Sequence, residues 1–216
     1  MKAIYLFLVF LPLLGYESVV AQTISNKSIE IKEFNTLTEA LKNPNQVIRL
    51  NLSNTNQEFP SDIWAKFVNL EYLSLKNDHL KKIPSEISTL KKLKVLDLSG
   101  NDFTELPKEM TQLENLEELY LNDEINMNLP KTIEIMSKLP KLKSLHLEND
   151  KLENLPDNIK KLEHLEFLYL SQNRLKEIPK QIESLPHLQF LDVKDNKIKP
   201  EIRDMKNLNF GFKINF

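Results

Sequence analysis

The sequence describes a curved α/β solenoid, with a parallel sheet on its concave face and short helices or 3-10 turns on its convex face. Three regularities lead there. First, apolar residues recur on a 23-residue ruler: Leu93 to Asn115, LKVLDLSGNDFTELPKEMTQLEN, is matched in plan by the stretches from Leu70, Leu142 and Leu165. Second, each period opens as L-x-x-L-x-L-x-x-N-x-L, and its first six residues alternate around the leucines at positions four and six, such as Leu96 and Leu98, the period of a strand. Third, L-P-x-x-I-x-x-L follows, with proline where a helical turn begins and needs no N–H.

One period cannot fold alone. Burying an apolar side chain contributes ~2 kcal/mol, and ordering each residue's backbone costs ~1–2 kcal/mol. With about one residue in three on the ruler, a repeat gains enough only when its faces are covered by neighbours.

The elements follow in order. Residues 1–21 read as a secretory signal: Lys2, an apolar run from Ala3 to Leu14 broken by Pro12, then Val19-Val20-Ala21 before a cut after Ala21. As a helix that run is ~18 Å long, short of the ~30 Å hydrocarbon core. The expectation is therefore cleavage, a mature chain from Gln22, no membrane span after cleavage, and a secreted or periplasmic location. An uncleaved N-terminal anchor is the alternative.

Residues 22–46 are expected to form a tether and an N-terminal helical cap. Phe34 to Pro44 reads as the helix, capped by Thr36 or Thr38, with Leu37, Ala40 and Leu41 on its apolar side and Pro44 ending it. About seven repeats fill residues 47–208. The first, from Val47, is atypical: Thr55 stands where Asn is expected and Pro60 comes one residue early. The repeat from Leu116 has 26 residues, and its three extra residues after Pro130 predict a longer convex helix carrying Met136 and Leu139. The last, from Leu188, substitutes Ile198, Pro200 and Ile202 for the Leu-Pro plan. Strand periodicity through Leu208, Phe210, Phe212, Ile214 and Phe216 predicts a C-terminal capping strand or hairpin arm, assigned to residues 209–216.

At the ninth position, Asn101, Asn173 and Asn196 are expected to turn inward and satisfy backbone groups. Asp78 and Asp150 stand in for them, and Glu124 is a departure expected to loosen its turn.

Composition narrows function. The 29 Lys and Arg are interspersed with 31 Asp and Glu, for a net charge of -2. No basic field is available for phosphates, which argues against a nucleic-acid partner. There is no cysteine, so disulfides, thiol catalysis and thiolate metal sites are excluded. The four histidines lack metal-binding spacing, and the three glycines are too scattered for a phosphate loop. No G-x-S-x-G elbow is present. The sequence thus predicts no enzyme, no cofactor and no metal; carboxylates on the sheet face lack the carbonyl-rich loop that calcium requires.

The repeats resemble those of leucine-rich-repeat proteins over roughly Val47 to Leu208. The chain looks like a secreted bacterial member, with L-P-x-x-I repeats similar to the plant intracellular Ras-group-related class and animal Ras-signalling scaffolds. The resemblance implies a curved solenoid and protein binding, and names no partner. The cysteine-bounded caps of animal secreted relatives are missing, which favours a bacterial source. The catalytic cysteine of bacterial ubiquitin-ligase effectors is missing too.

Candidate contact residues are those that alternate away from the leucines. Third positions are Arg49, Tyr72, Val95, Glu118, Ser144, Phe167 and Phe190; fifth positions are Asn51, Ser74, Asp97, Tyr120, His146, Tyr169 and Asp192. Tyr120, His146 and Tyr169 fall in one column, Phe167 and Phe190 in the next, and Tyr72 stands apart. Acidic Glu118, Asp123, Glu148, Asp192 and Asp195 border them, with Lys194 the clear base. Clustered aromatics are the composition of a binding hot spot; they also stabilise a sheet by stacking on each other. The function expected is a non-enzymatic protein-interaction module that binds a macromolecular partner on its concave face. The alternatives are a glycan or cell-surface adhesion protein using the same aromatics, and a structural envelope component.

Overall fold

The computed structural model describes residues 31–199 and 211–216. The signal segment and its cut, most of the tether, and Pro200, Ile202, Leu208 and Phe210 lie outside the described residues.

Each repeat contributes one short strand. The strands are β1 (Glu33–Phe34), β2 (Arg49–Asn51), β3 (Tyr72–Ser74), β4 (Val95–Asp97), β5 (Glu118–Tyr120), β6 (Ser144–His146), β7 (Phe167–Tyr169), β8 (Phe190–Asp192) and β9 (Lys213–Asn215). They pair in sequence order, all parallel, in one sheet. Equivalent positions meet across every junction from β2 to β8, so Tyr72 lies opposite Val95, Val95 opposite Glu118, and Phe167 opposite Phe190. The alternation explains the register. The central leucines Leu50, Leu73, Leu96, Leu119, Leu145, Leu168 and Leu191 are wholly buried, while most of their strand neighbours are half exposed.

The return segments are the turns that the prolines announce. Pro84, Pro107, Pro156 and Pro179 each cap a 3-10 helix, over Ser85–Thr89, Lys108–Gln112, Asp157–Lys161 and Lys180–Ser184. Ile87, Met110, Ile133, Ile159 and Ile182 are buried one turn on. The 26-residue repeat carries a true α-helix, Leu129–Met136, started by Pro130 and by Asn128, whose side chain accepts from Lys131 N. Met136 and Leu139 extend its apolar stripe and are buried. Strands pack ~4.8 Å apart and helices ~8–10 Å apart, so stacking both from repeat to repeat curves the solenoid with its sheet inside. Among the described residues, no helix is long and apolar enough to cross a membrane.

The N-terminal region departs from expectation. Phe34 belongs to β1, not to a helix; only Leu37–Ala40 (α1) is α-helical, capped by Thr36. Pro44 starts a 3-10 turn, Pro44–Gln46, rather than merely ending the helix. A two-residue strand is too short to show a period. At the other end β9 runs parallel to β8, as a further rung would, and not back along it as a hairpin arm.

The ninth-position side chains form a ladder inside the turns. Asn101 Oδ1 accepts from Asp78 N and Leu80 N at 3.2 and 3.0 Å, and its Nδ2 donates to Leu75 O and Leu98 O at 2.9 and 2.6 Å. Asn173 repeats this with Asp150, Leu152, Leu147 and Leu170. Glu124 does not loosen its turn: it is buried, and its carboxylate accepts from Asn101 N at 2.7 Å. The longer side chain reaches the same donor.

Candidate functional site

The strands place their third- and fifth-position side chains on the open face of the sheet, and the register decides which of them touch. Tyr120, His146 and Tyr169 are exact cross-strand neighbours on β5, β6 and β7. Their rings stack face to face, with centroids 3.8 Å apart for Tyr120–His146 and 4.1 Å for His146–Tyr169. Phe190 closes the row with a tilted contact to Tyr169 at 5.5 Å.

His146 is the buried centre of this stack, 7% exposed, while Tyr120, Phe167, Tyr169 and Phe190 are half exposed. Both edges of its imidazole meet carboxylates. Nε2 lies 2.9 Å from Glu118 Oε1, and Nδ1 lies 3.5 Å from Glu148 Oε2. Burial opposes a charge on His146, but the bonds to Glu118 and Glu148 outweigh it and raise its pKa above the ordinary value. Glu118 also accepts from the Tyr120 hydroxyl at 2.7 Å. Burial resists its ionisation, yet the bonds from His146 and Tyr120 hold its pKa low. The bond to His146 likewise holds Glu148 low against burial, helped by Ser171 and Asn122, which donate at 2.7 and 3.0 Å. Burial, then the bond to Glu118, drives the Tyr120 phenol strongly up, and burial raises Tyr169.

The anticipated residues thus divide. Glu118, Tyr120, His146, Glu148 and Tyr169 form one bonded and stacked unit, and Phe190 touches it. Phe167 sits beside it in the third-position column, opposite Phe190. Asp192 follows Tyr169 in the fifth-position column and accepts from Asn215 Nδ2 at 3.0 Å. Tyr72 belongs to another cluster: Arg49 lies over its ring at 3.8 Å and is paired with Glu33 at 3.0 Å. Two features were missed from sequence. Glu118 and Glu148 do not merely border the aromatics but grip the one between them. The partnership of Tyr72 with Arg49 and Glu33 also went unseen; the signal was a carboxylate, a guanidinium and an aromatic at the third positions of successive strands, obscured by the unrecognised β1.

Grooves of about 240 to 370 Å³ lie elsewhere, between return segments and near residues such as Met136, His164, Thr104 and Phe212. Among the described residues no group of three His, Cys, Asp or Glu is arranged to hold a metal ion.

A family model described as a leucine-rich repeat region matches residues 45–151 and 131–210. The chain belongs to the leucine-rich repeat family. Its leucine-rich repeat solenoid is similar to a chain in the structure of the Toll–Spatzle complex, a molecular hub in Drosophila development and innate immunity. That match has a TM-score of 0.61 at 19% identity and covers 76% of this chain and 22% of that one. It is also similar to a chain in the crystal structure of the TLR13–ssRNA13 complex, with a TM-score of 0.56 at 21% identity, covering 77% of this chain and 29% of that one. The leucine-rich repeats here thus span less than a third of either relative's length. No curated protein sequence matches the chain.

Proposed function

We propose that this leucine-rich repeat protein is a non-enzymatic interaction module that binds a protein partner on the open, concave face of its sheet. One observation carries the reading: Tyr120, Tyr169, Phe167 and Phe190 form a contiguous, half-exposed aromatic block on rigid strands. Aromatic side chains held in place lose little entropy on binding and supply large contact area. His146, buried in the stack, serves as support that fixes the two tyrosines. The Toll–Spatzle relative is itself described as a complex, which agrees with an interaction role. A relative bound to single-stranded RNA shows that the fold alone does not choose the partner class; the acidic residues on this face favour protein over nucleic acid.

The test is affinity capture with the triple variant Tyr120→Ala, Phe167→Ala, Tyr169→Ala. Capture should be lost while circular dichroism stays that of the parent chain. Undiminished capture by a folded triple variant would sink the proposal. The same aromatic row is suited to stacking on sugars, so a glycan array run in parallel separates adhesion from protein binding. The bacterial source and the secreted or periplasmic location belong to the same proposal.

A further inference from the structure

Resting on that reading of the sheet face, we propose that its occupant is a cationic protein segment: an extended stretch carrying arginine or lysine side chains, seated across β4 to β8. Three observations carry this.

The first is the local charge. The outward third, fifth and seventh positions from β4 to β7 are Val95, Asp97, Ser99, Glu118, Tyr120, Asn122, Ser144, His146, Glu148, Phe167, Tyr169 and Ser171. They include three carboxylates and no lysine or arginine. On β8 the third, fifth and seventh positions are Phe190, Asp192 and Lys194, whose charges cancel, so the acidic stretch runs from β4 to β7 with Asp192 at its edge. The chain as a whole carries only -2, so the acidity is concentrated here.

The second is how the same face holds cations at its ends. Arg49 stacks 3.8 Å over Tyr72 with Glu33 on its guanidinium. At the far end Lys213 Nζ lies 5.8 Å from the Phe190 ring. The middle strands repeat this pairing of carboxylate with aromatic, and the sequence places no cationic side chain of its own there.

The third is the exposure of the carboxylates. Glu118 and Glu148 are 31% and 30% exposed at their side chains, so each keeps an open side after bonding to His146. A guanidinium bonded to a carboxylate and lying on an aromatic face gains from both contacts.

His146 tunes the charge. It is faced by Glu118 and Tyr120 from β5, by Tyr169 from β7, by Ser144 on its own strand and by Glu148 just beyond it. With His146 protonated the twelve positions sum to -2, and with it neutral to -3 (three carboxylates less one imidazolium, or less none). Cation binding therefore tightens as pH rises through the titration of His146.

The test titrates the full chain by calorimetry with a capped nonapeptide of alternating arginine and alanine, and with its glutamine–alanine and glutamate–alanine counterparts. Nine extended residues reach ~30 Å, enough for the ~19 Å across four strand spacings. The arginine peptide should bind, more tightly on the alkaline side of the His146 titration than on the acid side, and shift the amide resonances of β5 to β7. The double variant Glu118→Gln, Glu148→Gln should weaken it about tenfold. A second double variant, Asp97→Asn, Asp192→Asn, leaves the His146 bonds intact and should weaken it in the same direction, which separates charge from misfolding. Equal binding of the three peptides, no binding of the arginine peptide, resonance shifts elsewhere, or indifference to both double variants overturns the inference. If the arginine peptide fails while the triple alanine variant still abolishes partner capture, only the cationic occupant is wrong. If that folded triple variant captures normally, the face itself is wrong.

Discussion

At the scale of single residues, the ladder inside the turns carries a chemical conflict. Asn173 accepts backbone N–H groups with Oδ1 and donates to the carbonyls of Leu147 and Leu170 with Nδ2. Asp150 keeps the acceptor, taking a bond from Glu124 N at 2.7 Å, but its buried Oδ2 has no hydrogen-bond partner among the described residues. Burial pushes Asp150 up to about 7 and Glu124 up to about 8, from ordinary values of 3.8 and 4.5. Both acids are raised in the folded state, so their contribution to stability is full below about pH 4 and is lost as pH rises through about 7 to 8. Asp150→Asn restores the missing donor. It should stabilise by about 1–3 kcal/mol at pH 9 and by much less at pH 4. Urea unfolding at both pH values measures this, and an equal gain at each would refute the buried-acid account. The Glu118–His146–Glu148 unit adds a second window. Its carboxylates lose their contribution as pH falls through their lowered values, and His146 loses its own as pH rises through its raised value. Both windows place the stability maximum on the acid side of neutrality, which a series of melting temperatures against pH reads directly.

At the scale of the element, the turns depend on an inward amide or carboxylate at the ninth position and a left-handed residue at the eighth. Asn173→Ala removes five backbone hydrogen bonds at a buried position and should cost about 3 kcal/mol, seen as a lower urea midpoint. At the eighth position Asn54, Asn77, Asp123, Asn149, Gln172 and Asp195 all adopt positive φ, as does Gly100 at +69°. Asn tolerates this conformation through its short polar side chain. Gly100 has a further reason: a Cβ there would sit 2.0 Å from Asn77 Oδ1. Gly100→Ala should therefore be destabilising twice over, by clash and by φ. Adding Asn77→Gly, which removes the clashing Oδ1 and still accepts the positive φ of position 77, should recover only part of the loss, leaving about 1–2 kcal/mol for the left-handed backbone at position 100. Complete recovery in the double variant would show that the clash was the whole effect.

At the scale of the whole molecule, repetition converts local rules into a surface. Because every strand from β2 to β8 meets its neighbour in identical register, columns of side chains become continuous rows, and one histidine can be enclosed by residues from strands on either side. The proposed export of the chain is tested at this scale. N-terminal sequencing of the exported protein should begin at Gln22; recovery of a membrane-bound form that still carries residues 1–21 would support the anchor instead.

Much of this was legible from the ruler of leucines. Leu96 and Leu98 declared a strand and its inner face, Pro107 a turn, and the extra residues after Pro130 a longer helix. These follow from chain-local periodicity. Glu33–Phe34 was not legible, since two residues carry no period. Nor was the part of Glu124, because side-chain reach across a repeat is not a property of its own segment. The sequence by itself determined the repeat, the parallel solenoid and which columns face outward, for apolar spacing admits one way of burying the leucines. The tertiary structure alone decided that His146 is enclosed between two tyrosines and two carboxylates while Tyr72 joins Arg49 and Glu33. Those contacts depend on ångström-scale packing between strands a whole repeat apart, where side chains compete for the same space and the same charge.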